Sequence, residues 1–486
     1  MNKHLIYLTF AAIAVLAGVV SAGDYSGGTG EPNNPYRIAT AEDLNDIGNH
    51  PEDWGSHFVM VNDINLSDYT GTQFNIIGND VNAFTGVFDG DGHVTKNLTI
   101  NDLNKSYLGL FGLIGTSGEI KNLTLENFNL TGFAYVGAVT GKNKGTIINC
   151  FSEVNIQINY RNAGGMVGEN DGNISLSSSL SNVYGYAALG GLVGKNNGTV
   201  DKCNSSGVVE TNIDFGPYCG GLIGLNYSKG IILNSTSNST VYGGYSDAGG
   251  FAGTNFGVIK NCHSNGVVDG LEYSTGGLVG YNSGGEIYNC SSKGEVSGKY
   301  DIGGLIGWNT GDISNNYSTG DVNGVRYIGG LVGYTSRGSI TNCYSTGDVN
   351  GIQYIGGLSG SIESPGSINN CYAIGKVLGI DNVGGLVGYH YSGVYTKSFW
   401  DSDVNPDVNG IGNTDDPNVI GKTTAEMKTE STFTDAGWDF VEIWNIGENQ
   451  TYPYLRVYPA GDLNHDKKVN LLDFAVLCDN WLEGVN

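Results

Sequence analysis

The chain has 486 residues and a mass of 51.2 kDa, with 79 glycines, 23 Lys+Arg against 48 Asp+Glu, a formal charge of −25 and a pI near 4.4. That balance excludes a phosphate-neutralising nucleic-acid surface and a polybasic face for anionic lipid. At 39% hydrophobic residues the chain can build a large core, and its glycines do not recur every third position, so neither wholesale disorder nor collagen fits.

The first 22 residues read as a secretory signal. Lys3 and His4 precede an apolar run from Leu5 to Val20, and Val20-Ser21-Ala22 supplies small residues for cleavage after Ala22. No cysteine follows that run for lipid attachment and no second long apolar stretch appears, so the expectation is a secreted, extracellular or cell-surface protein with no membrane insertion once the signal is gone. Residues 23–106 form an N-terminal cap and first irregular coils. Within them Thr40 to Ile47 predicts a short helix with a capping box between Thr40 and Asp43, placed to cover an open end. The stretch Phe88-Asp89-Gly90-Asp91-Gly92-His93 has metal-site residues but the spacing of a tight glycine turn.

From Tyr107 to Trp400 one pattern returns, as in IGGLIGWNTGDISNNYSTGDVNG from Ile302. Its closing glycine falls at Gly112, Gly141, Gly168, Gly194, Gly224, Gly253, Gly280, Gly307, Gly333, Gly360 and Gly388, at intervals of 26 to 30 residues. Eleven evenly spaced units are the signature of a solenoid, in which each unit buries its apolar face against its neighbours. Short β-branched and aromatic runs alternate with Gly, Asn, Ser and Asp, too short for helices. The predicted fold is all-β: a parallel β-helix, right-handed, with coils about 4.8 Å apart and Gly-Gly pairs at its turns.

Asn122, Asn149, Asn261, Asn289, Asn315, Asn342 and Asn370 share one register, between an apolar residue and a second apolar position. A left-handed bend there lets both neighbours face inward, and the amides would bond along the axis. The next position holds Cys150, Cys203, Cys262, Cys290, Cys343 and Cys371, with Leu123 in the same row, which marks it as core. No C-x-x-C pair occurs. Buried thiols fit this ladder, and the coil spacing also permits bridges between Cys262 and Cys290 and between Cys343 and Cys371.

Glu295, Asp321 and Asp348, followed by Lys376, occupy equivalent turns of successive coils. Carboxyls one or two coils apart would stand about 4.8 or 9.6 Å from each other, a spacing compatible with glycoside chemistry. Their near-identical T-G-D-V or K-G-E-V context instead reads as a solvent-facing turn row. Tyr273, Tyr327 and Tyr354 precede Gly-Gly segments and could line one side of a binding face, or pack at corners.

After Trp400 the period fails. Residues 401–458 read as a C-terminal cap: a loop from Asp401 to Asn418, a helix begun by Thr423 or Thr424, and Trp438, Phe440, Trp444, Tyr452, Tyr454 and Leu455 to close the far end. In residues 459–486, oxygen-bearing side chains fall at positions 1, 3, 5, 9 and 12 of a loop: Asp462, Asn464, Asp466, Asn470 and Asp473, with the Lys468 carbonyl at position 7. A hard Ca²⁺ ion takes that spacing. Lys467 replaces the usual glycine, and Asp473 the usual glutamate.

The repeats resemble the GLUG family, named for the Gly-Leu-x-Gly core seen at Gly330-Leu331-Val332-Gly333 and Gly385-Leu386-Val387-Gly388. The flanking words Asn34-Pro35-Tyr36-Arg37-Ile38, Phe88-Asp89-Gly90 and Lys422-Thr423-Thr424-Ala425-Glu426-Met427 are similar to those of large secreted GLUG proteins of planctomycete-like bacteria. The tail resembles one calcium-binding half of a type I dockerin, which implies a cohesin-like partner, although a full dockerin carries two loops. The resemblance implies an extracellular, adhesive role. GLUG repeats also accompany zinc metallopeptidases of the immunoglobulin A protease type, but none of the seven histidines here lies in H-E-x-x-H. No G-x-S-x-G elbow appears either. The expected function is a non-enzymatic scaffold or adhesin that meets extracellular polysaccharide or a cell-surface protein. The alternative is a polysaccharide lyase, glycoside hydrolase or carbohydrate-binding module on a β-helix.

Overall fold

The structure is a computed structural model and describes residues 23–212 and 216–456. The secretory signal, the calcium loop and the helix expected after it lie outside the described residues. The predicted all-β, parallel solenoid is present. Each repeat makes short strands in three sheets, and each strand pairs in parallel with the equivalent strand about one repeat away. In the coil that starts at Tyr300, strands Tyr300–Gly303 and Ile306–Asn309 belong to the third sheet, Ile313–Ser314 to the first, and Tyr317–Ser318 with Val322–Asn323 to the second.

The core is a set of inward ladders. Ile259, Ile287, Ile313, Ile340 and Ile368 pair one above the other in the first sheet, and all are fully buried. Leu305, Leu331 and Leu358 form a second such row, each amide donating to the next residue's carbonyl at 2.8 to 2.9 Å. Like side chains stacked at the strand spacing pack against their copies, which is why near-identical repeats suffice to specify the interior.

Two corners of each coil take left-handed backbone. At the first stand the expected asparagines: Asn122, Asn149, Asn261, Asn289, Asn315, Asn342 and Asn370 have φ between 51° and 57°. Their amides bond along the axis, with Asn149 donating to Asn122 at 2.8 Å, Asn289 to Asn261 at 3.2 Å and Asn342 to Asn315 at 3.3 Å. The second corner lies in the third sheet and includes Tyr107, Tyr135, Asp247, Ser274, Asp301, Tyr327 and Tyr354, with φ of 54° to 61°.

The Gly-Gly pairs stand at the bend between the two strands of the third sheet, with bends at Gly304 and Gly330, but they do not take left-handed backbone. Gly303-Gly304 and Gly329-Gly330 are absent from the positive-φ set. A Cβ on Gly304 would collide with the Gly330 carbonyl and Ser318 Oγ, and one on Gly330 with the Gly357 carbonyl. Glycine is required there because neighbouring coils approach too closely for any side chain.

At the N-terminal end, Ala41–Ile47 is the expected helix. Thr40 caps it in a capping box with Asp43, and its Leu44 and Ile47 enter the same core as Phe58 and Met60. The Asp89 to His93 stretch is the expected turn: the His93 amide donates to the Gly90 carbonyl at 2.8 Å, and the Asp91 amide to Asp89 Oδ1 at 2.9 Å.

Beyond Trp400 the ladders continue. Val419–Lys422 pairs with Ser398–Asp401, and Asn409–Ile411, within the expected loop, pairs with the strand that carries Gly384 and Val387. Thr423 and Glu426 then form a reciprocal cap, and the helical segments are Glu426–Lys428 (3-10) and Glu430–Thr434. The terminal aromatics form a second core, separate from the solenoid interior. Phe433, Trp438 and Trp444 pack on Tyr344, Tyr372 and Phe399, which occupy one outward row of three consecutive coils.

Candidate functional site

The third sheet carries a groove along the solenoid, bounded by two outward columns. One column is the left-handed corner just described. The other follows each closing glycine and holds Lys142, Glu169, Lys195, Leu225, Thr254, Tyr281, Trp308, Tyr334, Ser361 and Tyr389, registered coil by coil. The corner's left-handed backbone turns its side chain outward toward the second column. In two coils the contact is explicit: Asn162 Nδ2 donates to Glu169 Oε2 at 3.0 Å, and Thr254 Oγ1 to Asp247 Oδ2 at 2.8 Å.

The groove changes character along its length. Its N-terminal part is ionic. Lys142 Nζ bridges Glu169 at 2.7 Å and Asp171 at 2.8 Å, and Lys195 approaches Glu169 at 3.7 Å. Arg161 lies 6.0 Å from the Tyr135 ring and 5.1 Å from that of Tyr160. A recess of about 280 Å³ opens here, lined by Tyr135, Arg161, Glu169, Lys195, Tyr218 and Tyr227 among others.

Its C-terminal part is aromatic. Tyr281 meets Trp308 at 5.1 Å between ring centroids, Trp308 meets Tyr334 at 5.7 Å, and Tyr334 meets Tyr327 at 5.4 Å. The chain of rings continues from Tyr327 to Tyr354 at 4.9 Å, to Tyr389 at 4.7 Å and to Tyr391 at 4.5 Å. Arg326 lies over both Tyr327 and Tyr354, at 4.6 and 4.9 Å. Polar partners rim the rings: Trp308 Nε1 donates to Ser336 Oγ at 3.1 Å, Tyr334 to Glu363, and Gln353 Nε2 to Asp381 at 2.8 Å. Asp301 sits in the corner column between Ser274 and Tyr327, and burial pushes its carboxyl up to about 7 against the opposing pull of Arg326. Asp247, two coils earlier, is raised to about 6 by burial.

Of the sequence-derived candidates, Tyr327 and Tyr354 belong to this groove. Tyr273 stands one column aside, pairing with Tyr300, which pairs with Arg326. Glu295, Asp321 and Asp348 do form a row on the second sheet, but their carboxylates hold neighbouring turns. Asn323 Nδ2 donates to Glu295 at 3.2 Å, the Asp348 amide to Asp321 at 2.9 Å and the Lys376 amide to Asp348 at 2.8 Å. The seven described cysteines are free and buried. Cys262 and Cys290, and likewise Cys343 and Cys371, adjoin as thiols, each upper amide donating to the lower Sγ at 3.4 Å. Among the described residues no group of three or more His, Cys, Asp and Glu is placed to hold a metal. The residues Asp462, Asn464, Asp466, Lys468, Asn470 and Asp473 lie outside the described residues.

Sequence reading missed Tyr281, Trp308, Tyr334 and Tyr389. The signal was available, since each directly follows a closing glycine of the tabulated repeat. It also missed a buried asparagine ladder one residue further on. Asn143, Asn170, Asn196, Asn226, Asn255, Asn282 and Asn309 are fully buried, and each of the first six donates to the next at 2.8 to 2.9 Å.

Comparison with known proteins locates the GLUG motif at residues 272–297 and 324–350. A candidate Gly-rich membrane protein of Evansella cellulosilytica is 37% identical over 149 residues, 29% of this chain and 17% of that protein. Halomucin of Haloquadratum walsbyi is 35% identical over 165 residues, 32% of this chain and 2% of its own length. The chain therefore spans less than a fifth of either relative. Among solved structures, a candidate immunoglobulin A1 protease from Bacteroides ovatus aligns over 89% of this chain and 95% of its own, at 16% identity and a TM-score of 0.28. No described helix is long and apolar enough to cross a membrane.

Proposed function

We propose that this GLUG-motif-containing β-solenoid is a non-enzymatic extracellular scaffold or adhesin, which presents its third sheet to surface polysaccharide or protein. The observation that carries the reading is the unbroken run of partly exposed rings from Tyr281 to Tyr391 on a rigid repeat. Soluble proteins seldom expose such a surface without a contact to make. Rows repeated coil after coil favour many weak contacts in parallel, where avidity replaces single-site affinity. The acidic row at Glu295, Asp321 and Asp348 accepts hydrogen bonds from Asn323 and from the Asp348 and Lys376 amides, which fits a bracing role in this reading. In the tail, Asp462, Asn464, Asp466, Asn470 and Asp473 with the Lys468 carbonyl would hold Ca²⁺ and order a small docking element for a cohesin-like partner. A polysaccharide array probed with the secreted protein, in Ca²⁺ and in chelator, tests the reading. Binding without product release supports it, and released oligosaccharide overturns it.

A further inference from the structure

The geometry points to the aromatic half of the third-sheet groove as a binding site for a neutral glycan chain lying along the solenoid axis, with Trp308, Tyr334, Tyr327 and Tyr354 as its platform. This assignment rests on the scaffold reading and names its ligand class and site.

Three features select that ligand. The first is chemistry. A pyranose offers a C–H face to an aromatic ring and a hydroxyl rim to polar groups. Here the rings are Trp308, Tyr334, Tyr327 and Tyr354; Ser336 and Glu363 are bonded to Trp308 and Tyr334, and Gln353 and Asp381 are bonded to each other in the column of Arg326. The tyrosine hydroxyls add further donors, as Tyr327 and Tyr391, 3.4 Å apart, illustrate.

The second feature is direction. The rings follow one another at centroid separations of 4.7 to 5.7 Å. They pass from coil to coil within a column and cross between columns from Tyr334 to Tyr327 and from Tyr354 to Tyr389, so they form a band that advances along the axis. A linear polymer matches that shape better than a compact ligand does. The third is charge. The chain carries −25, Arg326 is already spread over two tyrosine rings, and the carboxylates Glu363 and Asp381 are bonded to Tyr334 and Gln353. A polyanion would meet net repulsion here, whereas a neutral chain does not.

The backbone supplies an unusually clean test. Tyr327 and Tyr354 hold φ of 59° and 61°, a conformation that asparagine adopts more readily than tyrosine. The substitutions Tyr327→Asn and Tyr354→Asn therefore remove the rings while easing the corner. Tryptophan provides the signal: among the described residues Trp308 is partly exposed, whereas Trp54, Trp400, Trp438 and Trp444 are buried at 7% exposure or less. A Trp481→Phe background removes the sixth tryptophan, which lies outside the described residues.

Full-length secreted protein is titrated with xylan, laminarin, mannan and cellohexaose as neutral probes and alginate as the anionic one, following tryptophan emission and calorimetric heat. We expect at least one neutral probe to bind and shift Trp308 emission. Trp308→Phe should abolish the optical signal but keep the heat. Trp308→Ala and the Tyr327→Asn/Tyr354→Asn pair should each weaken binding by about tenfold or more, the scale of a lost aromatic anchor, read well below the unfolding temperature of each variant. Neutral-glycan binding that survives both variants overturns this site and leaves the scaffold reading standing. Preference for alginate overturns the ligand class. Absence of binding by every probe overturns the assignment, while the scaffold reading then stands or falls on protein partners.

Discussion

Asn282 donates its side-chain amide to Asn309 Oδ1 at 2.8 Å across one coil, and both residues are fully buried. The same amide reaches the Gly285 carbonyl at 2.9 Å, so one side chain ties its own turn to the next coil. Removing it strands a buried acceptor on the neighbour below and a donor-deficient turn. Asn282→Ala is therefore expected to cost about 2–3 kcal/mol, read as a lower urea midpoint at unchanged slope. The ladder ends at Thr335, whose hydroxyl is buried without a partner, so Thr335→Val should be neutral or stabilising by about 1 kcal/mol.

Gly304 answers to a different constraint. Its missing Cβ leaves room for the Gly330 carbonyl of the adjoining coil and for Ser318 Oγ of its own coil. Gly304→Ala should destabilise by about 3 kcal/mol or split the solenoid into independently melting segments. Gly284, with φ of 72° and open space around it, should cost less when replaced by Asn, which tolerates that conformation. Thermal melts of the two variants side by side check the contrast.

The cysteine ladder should be chemically silent. Burial pushes Cys150 and Cys203 up to about 12 and raises Cys262 and Cys371 well above the ordinary thiol range. At pH 8 the thiolate, which is the reactive form, is then scarcely populated. In a Cys478→Ser background, which removes the eighth cysteine outside the described residues, an Ellman assay should find the seven described cysteines unlabelled in native protein and all seven labelled in guanidinium. Fewer thiols on unfolding would mean that bridges form along the ladder.

Asp301 gives stability an unusual slope with pH. Burial raises its folded pKa to about 7 and that of Asp247 to about 6, above an unfolded value near 4. Between those limits the folded state binds more protons than the unfolded one, so stability falls as pH rises from about 4 to about 7. Asp301→Asn removes the ionised form and should add about 1–2 kcal/mol at pH 8, while flattening the slope. Urea titrations at pH 5 and pH 8 decide it.

Trp444 anchors the C-terminal segment on the outer side of the last coils. It lies 6.1 Å from the Tyr344 ring and 6.0 Å from that of Tyr372, while Tyr372 hydrogen bonds the Pro453 carbonyl. Trp444→Ala should cost about 3–5 kcal/mol locally. Residues 423–456 would become protease-sensitive while the N-terminal coils stay protected, because a solenoid transmits stability mainly between neighbours.

The sequence by itself determined the solenoid, its period and its two most regular rows. Repetition makes register legible: a residue that recurs every 26 to 30 positions must stack on its copies, so the Asn315 corner and the Cys290 ladder could be placed without coordinates. Only the tertiary structure decided which glycines are turns and which are clearances, since a collision with the next coil's carbonyl leaves no trace in local propensity. It also decided that the acids from Glu295 to Asp348 brace turns, and that the C-terminal aromatics cover the flank of Tyr344 and Tyr372. The aromatic groove is the clearest case. Tyr327 and Trp308 belong to different rows and different coils' strands, and they join one surface only because the left-handed corner aims one row at the other. Periodicity fixes what lies above a residue; the fold of the coil fixes what lies beside it.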